Sequence, residues 1–156
     1  MKRSEIKRTP FGQKRKAPRI PKSTKEEYRD VASAPTNKHI HNKWSQVVKA
    51  KVNNICELEG CGGMACGGAL NAHHIFSSRH AATRFVPENG LSVCYVHHIH
   101  YIHHDTTKAA VDILRVIGQD RYDRMEALHM QTVHALANDR RKVFDELCSI
   151  LKGLQA

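Results

Sequence analysis

Three short elements decide the fold: Ala72-His73-His74-Ile75, Glu88-Asn89-Gly90-Leu91 and Cys94-Tyr95-Val96-His97-His98. Segments 71–76 and 91–96 are short and apolar, which is typical of strands, and a polar loop separates them. From His97 onward the pattern of apolar residues becomes helical. The order and spacing therefore predict a strand, a loop, a second strand and a helix.

Histidine is concentrated in this stretch, because eight of the twelve histidines lie between His73 and His104. Hydrolysis of a phosphodiester needs a nucleophilic water, a group that takes its proton, and positive charge against the phosphate. An imidazole has a pKa near neutrality and can accept that proton, and a divalent cation can supply the charge. An amide such as Asn89 can hold the imidazole in one tautomer through a fixed hydrogen bond.

The five cysteines favour a metal over disulfides. They are odd in number, three of them are closely spaced in the glycine-rich segment 56–70, and glycine lets the backbone fold tightly around sulfur ligands. More ligands are present than a four-coordinate zinc needs, namely Cys56, Cys61, Cys66, Cys94 and His97. The alternative is that these thiols are free and reduced.

Helices are predicted on both sides of the central stretch. Segment 42–55 forms one helical stripe of apolar residues: Trp44, Val47, Val48, Val52 and Ile55. Downstream, Gly118 is a predicted helix stop, Tyr122 to Leu128 mark another helix, and residues 143–154 mark a last one. We interpret these stripes as packing faces.

The ordered combination of a histidine pair, an asparagine and a histidine beside a cysteine knuckle resembles the HNH nucleases. The resemblance implies an α+β fold: a small ββα-metal, treble-clef-like core with a zinc knuckle, flanked by helices. It also implies that His74 is the general base, that Asn89 is its orienting partner, and that His73 and His98 bind a catalytic cation.

Some HNH nucleases have a further metal-binding histidine one turn after the third element, so the resemblance implies a third cation ligand after His98. The position four residues on is Ile102, which departs from the usual spacing, so His103 is the nearest candidate. His73 stands where many HNH proteins have an aspartate. Loss of a hard oxygen ligand leaves Mg²⁺ as one option and makes Mn²⁺, Ni²⁺ or Zn²⁺ more plausible.

The same resemblance implies a structural zinc beside the catalytic cation. HNH domains often tie the loop before the first strand to the start of the helix in this way, usually through a C-x-x-C pair; here the spacing is C-x4-C twice. The preferred ligand set is Cys56, Cys61, Cys94 and His97. The main variant replaces Cys56 or Cys61 with Cys66.

Longer runs narrow the resemblance to phage-encoded proteins similar to the NinG/Rap recombination nucleases. These runs are Asn71 to Arg79, Thr83 to Asn89, and Ile117-Gly118-Gln119-Asp120-Arg121-Tyr122. The implied function is a metal-dependent HNH endonuclease that hydrolyses duplex or branched DNA in recombination or processing, in the cytoplasm of the host cell. The alternative is a zinc-stabilised nucleic-acid-binding module without catalysis.

The basic charge is concentrated in the first part of the chain. The net charge is +10, of which residues 1–25 carry +9. We therefore expect residues 1–37 to form a flexible, disordered basic arm, with residues 38–134 as the nuclease domain and 135–156 as a helix packed on it. Predicted DNA contacts are Lys14, Arg15 and Lys16 in the arm and Arg79 and Arg84 between the catalytic elements. No apolar stretch approaches the length of a membrane span, so no membrane partner is expected.

Overall fold

The computed structural model describes residues 35–131 and 140–156. The described part of the chain confirms the predicted α+β class. Its four α-helices are α1 (Asn37–Ala50), α2 (Thr106–Ile117), α3 (Gln119–His129) and α4 (Arg140–Gln155). Two strands, β1 (Leu70–His74) and β2 (Gly90–Cys94), form one sheet, and a π-helical segment, Val96–Ile102, follows β2. Most of the predicted arm, including Lys14, Arg15 and Lys16, lies outside the described residues.

The sheet is a two-stranded antiparallel pair whose register places the histidine pair at its end. Leu70 pairs with Cys94, and His74 pairs with Gly90. Every residue of β2 is buried, whereas β1 is half-buried throughout. Both strands are shorter than predicted and end about two residues earlier, since the chain turns after His74 and becomes helical after Cys94.

Helix α1 lies five residues earlier in the chain than the predicted 42–55. The Thr36 hydroxyl caps the helix by accepting a hydrogen bond from the His39 N–H at 3.3 Å. The chain leaves the helix after Ala50, and Asn53 and Asn54 adopt left-handed conformations with φ of 53° and 58°. Ile55, predicted to be a packing residue, is therefore 58% exposed.

Helices α1 and α4 enclose one of two apolar clusters. Its buried members are Ile40, Trp44, Val47, Val48, Leu147 and Leu151. Gly90 of β2 packs directly against this cluster, because a Cβ at that position would lie 2.2 Å from Val48 Cγ2 and 2.9 Å from the Trp44 ring. Glycine at position 90 therefore lets α1 approach the sheet.

The second cluster is formed by residues from the segment after α1, from β2, from the π-helical segment and from α2. Its buried members are Cys56, Leu58, Leu91, Val93, Cys94, Tyr101, Ile102, Ala109 and Ile113. The Tyr101 hydroxyl donates a hydrogen bond to the buried carboxylate of Asp112. From the cysteine-containing segment, Cys56 and Leu58 are buried in this core, whereas Cys66 is exposed.

The predicted helix after His97 is two separate elements. Asp105 begins α2, where its side chain accepts a hydrogen bond from the Lys108 N–H at 3.1 Å. The predicted stop at Gly118 is confirmed, with φ of 77°. The helices predicted around Tyr122 to Leu128 and over 143–154 are confirmed as α3 and α4. Among the described residues, no helix combines the length and apolarity needed to cross a bilayer.

Candidate metal centre and histidine cleft

Three cysteines and one histidine converge beside the end of β2. Their ligand atoms, on Cys56, Cys66, Cys94 and His97, lie within 4.8 Å of one another. His97 Nδ1 is 3.1 Å from the sulfur of Cys94, 3.6 Å from that of Cys56 and 3.7 Å from that of Cys66. Tetrahedral zinc, with Zn–S near 2.3 Å and Zn–N near 2.0 Å, separates sulfur from nitrogen by about 3.6 Å. This Cys3His cluster can therefore hold a metal ion such as zinc.

Main-chain groups around the Cys3His cluster are arranged to favour sulfur ligation. The Cys94 N–H donates to the Cys56 sulfur at 3.3 Å, and the Gly67 N–H donates to the Cys94 sulfur at 3.4 Å. Burial opposes ionisation of Cys94, but hydrogen bonds from the main-chain N–H groups of His97 and Gly67 lower its pKa to about 6. The other ring nitrogen of His97 donates to the Cys61 carbonyl at 3.2 Å. Because a carbonyl only accepts, Nδ1 keeps its lone pair for a metal.

The structure brings together the variant ligand set predicted from sequence, in which Cys66 takes the place of Cys61 of the preferred set. Gly62 has φ of 65°, and a Cβ there would lie 2.8 Å from the Tyr101 ring. The chain therefore turns tightly after Cys61 and returns, and the thiol of Cys66 joins the cluster. Cys61 contributes its carbonyl oxygen to His97 instead of its sulfur. No disulfide joins any of the five cysteines, all of which lie in the described residues.

A second group of ligand atoms is formed by His73, His98 and His103, again within 4.8 Å of one another. His73 is the penultimate residue of β1, and its ring centroid lies 5.4 Å from that of His98 and 6.0 Å from that of His103. The centroids of His98 and His103 are 5.0 Å apart. We refer to these three residues as the histidine triad.

The π-helical segment explains how His98 and His103 reach the same place. Residues four apart share a face of an α-helix, whereas residues five apart diverge. A π-helix has i→i+5 hydrogen bonds and a wider turn, which brings residues five apart closer to one face. Ile102, at the expected i+4 position, is 6% exposed and lies in the apolar core.

The triad is suited to binding a cation through neutral imidazoles. Burial, and then the neighbouring His98 and His103, lower the pKa of His73 to about 4. Burial followed by His103 also lowers the pKa of His98. Both rings are therefore neutral near pH 7 and can offer a nitrogen lone pair. A set of three imidazoles without a carboxylate suits Zn²⁺, Ni²⁺ or Mn²⁺ better than Mg²⁺.

His74, the last residue of β1, packs against helix α1. Its ring stacks on Trp44 at a centroid distance of 3.9 Å and an interplanar angle of 11°. Its Nε2–H donates to the Arg84 carbonyl at 2.8 Å, which leaves Nδ1 as the acceptor. Burial is the largest influence on its pKa, which lies below the ordinary value. Near pH 7 the ring is a neutral, immobilised base.

The predicted hydrogen bond between Asn89 and His74 is wrong. Asn89 is fully buried, and its amide donates to the carbonyls of Phe76 and Thr83 at 3.0 Å each. Its Oδ1 accepts the Phe76 N–H at 2.8 Å. Every one of these bonds goes to the loop between the strands, which also carries the Arg84 carbonyl. Asn89 thus orients His74 only indirectly, by holding the loop.

His73, His74, His98 and His103 line one open cleft of 510 Å³. Adjacent strand residues point to opposite faces, yet β1 ends at His74, so both members of the pair can face the cleft. Helix α1 forms part of the same cleft through His41, Ser45 and Lys49. A substrate in this cleft would meet the triad and His74 together.

The two arginines predicted to contact DNA differ in their surroundings. Arg84 directs its guanidinium back into its own loop, where Nε donates to the Ser78 carbonyl at 2.5 Å and Nη2 to the Arg79 carbonyl at 3.4 Å. Arg79 is exposed. DNA contact by either side chain stays a prediction. In the structure, Arg84 contributes to the site through its main-chain oxygen, which accepts the hydrogen bond from His74.

Sequence reasoning missed three participants in the site. Trp44 was assigned only to a packing stripe, His41 had no assigned role, and the Arg84 carbonyl leaves no mark on the sequence. The spacing of His41, Ser45 and Lys49 at four-residue intervals was the available signal for a polar helix face beside the apolar one.

Comparisons of the chain with protein-family models, curated proteins and solved structures found no significant match.

Proposed function

We propose that this protein is a metal-dependent endonuclease of the HNH class that hydrolyses DNA phosphodiester bonds. One observation carries the proposal: the histidine triad and the immobilised His74 line a single open cleft. A cluster of imidazoles alone could be a storage or structural metal site. A separate neutral imidazole, fixed beside the cluster, adds the proton acceptor that hydrolysis requires.

His74 acts as the general base through Nδ1. The Arg84 carbonyl holds the proton on Nε2, and stacking on Trp44 fixes the plane of the ring. A water positioned in the cleft gives its proton to Nδ1 as its oxygen attacks phosphorus. The bond from phosphorus to the leaving oxygen then breaks. Because the ring is already oriented, little reorganisation is needed when the proton moves.

His73, His98 and His103 are the residues that hold the catalytic cation. A divalent ion there supplies positive charge against the phosphate and the leaving oxygen. The Cys3His cluster has a different role, since three cysteines and a histidine complete a tetrahedron and leave no open position for substrate. We assign it a structural zinc.

Cleavage of supercoiled, linear and branched DNA tests the proposal directly. Purified full-length protein is incubated with each DNA and with Mg²⁺, Mn²⁺, Ni²⁺ or Zn²⁺. We expect cation-dependent cleavage that falls about 100-fold or more in His74→Ala, while DNA binding persists. His104→Ala is the matched control, because His104 is exposed near the same segment and lies outside the triad; its activity should stay within about twofold.

If His74→Ala cleaves DNA as fast as the wild type does, the assignment of His74 as the general base is wrong. If no cation supports cleavage of any DNA while binding is normal, the protein is a zinc-stabilised nucleic-acid-binding module instead. Comparing branched with linear DNA also tests the implied role in recombination, for which branched substrates should be cut faster.

A further inference from the structure

One face of α1 lines the same cleft as the histidine triad. His41, Ser45 and Lys49 occur at intervals of four residues, so they follow one another along the helix. All three line the cleft. The His41 ring also lies 5.8 Å from the His74 ring, which places this face beside the proposed general base.

The charge of the cleft suits an anion. None of the ten described residues that line it is Asp or Glu, whereas five are histidines and one is lysine. Other basic side chains close to the sheet are already paired: Lys51 with Glu88 at 2.9 Å, and Arg121 with Glu57 at 3.6 Å. Within residues 35–131 and 140–156, no carboxylate pairs with Lys49.

The position of Lys49 differs from that of the basic residues predicted to bind DNA. The guanidinium of Arg84 donates into its own loop, so its capacity for phosphate is reduced. Lys49 is half-buried, which means that a phosphate paired with it is partly shielded from water. Ser45, one turn earlier, can donate a hydroxyl hydrogen to an oxygen of the same backbone.

We propose that the His41–Ser45–Lys49 face of α1 holds the sugar-phosphate backbone of the DNA strand that is cut. The ammonium group of Lys49 pairs with a phosphate next to the scissile one, and Ser45 donates to the same stretch of backbone. This inference rests on the proposed nuclease function, because that function supplies the reacting phosphate. It goes further by naming the surface that positions the strand.

The test measures DNA binding separately from cleavage. Affinity of the full-length protein for a short duplex is measured over a range of salt concentrations without added cation, and a denaturing gel verifies that the duplex stays intact. Loss of one phosphate contact should reduce the salt slope by about 1, which is about an eightfold loss of affinity at 0.1 M salt. We expect this result for Lys49→Gln, a larger loss for Lys49→Glu, and affinity within about twofold of wild type for Lys49→Arg.

Lys43→Gln is the matched control, since Lys43 lies on the same helix, hydrogen-bonds to Gln46 at 3.0 Å and does not line the cleft. Equal slopes for Lys49→Gln and Lys43→Gln would overturn the inference, as would wild-type protein that does not bind duplex. If Lys49→Gln binds DNA more weakly but no cation supports cleavage, the result would support DNA binding by the His41–Ser45–Lys49 face. It would refute the proposed nuclease function. Where cleavage occurs, Lys49→Gln should raise KM and leave kcat within about twofold.

Discussion

Asn89 shows how a single buried amide can support a site that it does not touch. The side chain is fully buried and forms all of its observed hydrogen bonds with Phe76 and Thr83. The loop that it holds also carries the Arg84 carbonyl, which accepts a hydrogen bond from the Nε2–H of His74. Asparagine has one acceptor and two donors, and this loop uses both kinds.

Replacement of Asn89 with alanine should therefore destabilise the protein and impair the site. Two carbonyls and one N–H would lose their partner inside the fold, so we expect a loss of about 2–4 kcal/mol in the free energy of unfolding. Chemical denaturation measures it. Asn71→Ala is the control, because the Asn71 amide makes one exposed bond to the Ala69 carbonyl and should change stability by about 0.5 kcal/mol or less. Similar values for the two variants would contradict the assigned role.

At the residue scale, the sequence predicted which residues belong to the site better than it predicted the hydrogen bonds and ligand contacts among them. The local excess of histidine pointed to this stretch, and the resemblance to HNH nucleases singled out His73, His74, His98 and His103 within it. The orienting carbonyl of Arg84 could not be singled out, because every residue has a carbonyl. The sequence offered Cys61 and Cys66 as alternative zinc ligands but could not decide between them, since the choice depends on how the glycines at 62, 63 and 68 turn the chain.

The π-helical segment is the element that decides the composition of the triad. In an α-helix, His98 would face Ile102, and a core residue would occupy the third ligand position. The wider turn keeps Ile102 in the core and moves His103 beside His98 and His73. Sequence periodicity could not reveal this arrangement, because a single turn of π-helix is too short to create a repeating pattern.

Moving the third histidine tests whether the π-helical turn, and not an α-helical one, places the third ligand beside His98. We expect His103→Ala to weaken binding of Ni²⁺ or Mn²⁺ at the triad about tenfold or more, as measured by calorimetry on zinc-loaded protein. The double variant Ile102→His with His103→Ala should not restore binding, and it should be less stable because it places an imidazole in the core. Recovery of affinity would show that the segment has α-helical register. His104→Ala should bind the cation as wild type does.

The contact of α1 with the sheet is the second decisive element, and Gly90 permits it. The boundaries of α1 were predicted five residues too late because the cap at Thr36 lies inside the segment assigned to the arm. Its packing face was predicted correctly for Trp44, Val47 and Val48, which are buried. Those residues follow helical periodicity, whereas the start of a helix depends on one hydrogen bond.

Gly90→Ala should destabilise the protein by about 1–3 kcal/mol, because the new methyl group would lie 2.2 Å from Val48 Cγ2. It should also lower cleavage activity, since the same methyl group displaces the ring of Trp44 on which His74 stacks. The thermal unfolding of Gly90→Ala is compared with that of the control variant Gly153→Ala in α4. A Cβ at Gly153 has no neighbour within 4 Å, and alanine there should stabilise by about 0.5–1 kcal/mol. Stabilisation by both variants would refute close packing at Gly90.

For the whole molecule, the Cys3His cluster joins segments that are far apart in sequence. Cys56 follows α1, Cys66 lies before β1, and Cys94 and His97 lie at the end of β2 and in the π-helical segment. Cys56 and Cys94 are also members of the apolar core. A bound zinc would therefore close the loop around this core and stabilise the fold as a unit.

Zinc content of single cysteine variants tests this assignment. We expect wild-type protein to retain about one zinc per chain after dialysis, and Cys66→Ser to retain much less, with a fall in Tm on the order of 10 °C. Cys61→Ser should keep its zinc, because Cys61 contributes a carbonyl and not a thiolate. Cys148→Ser in α4 is the control. Zinc loss in Cys61→Ser with retention in Cys66→Ser would restore the ligand set predicted from sequence.

His97 and His98 are consecutive, yet one belongs to the Cys3His cluster and the other to the histidine triad. A single peptide unit thus separates the two clusters, so an ion bound by one imidazole would restrict the torsion angles available to the other. If zinc raises the affinity of the triad for its cation, reciprocity requires the cation to raise zinc affinity by the same factor. Chelation of either ion would then release the other more readily, and activity should return only when both are supplied again.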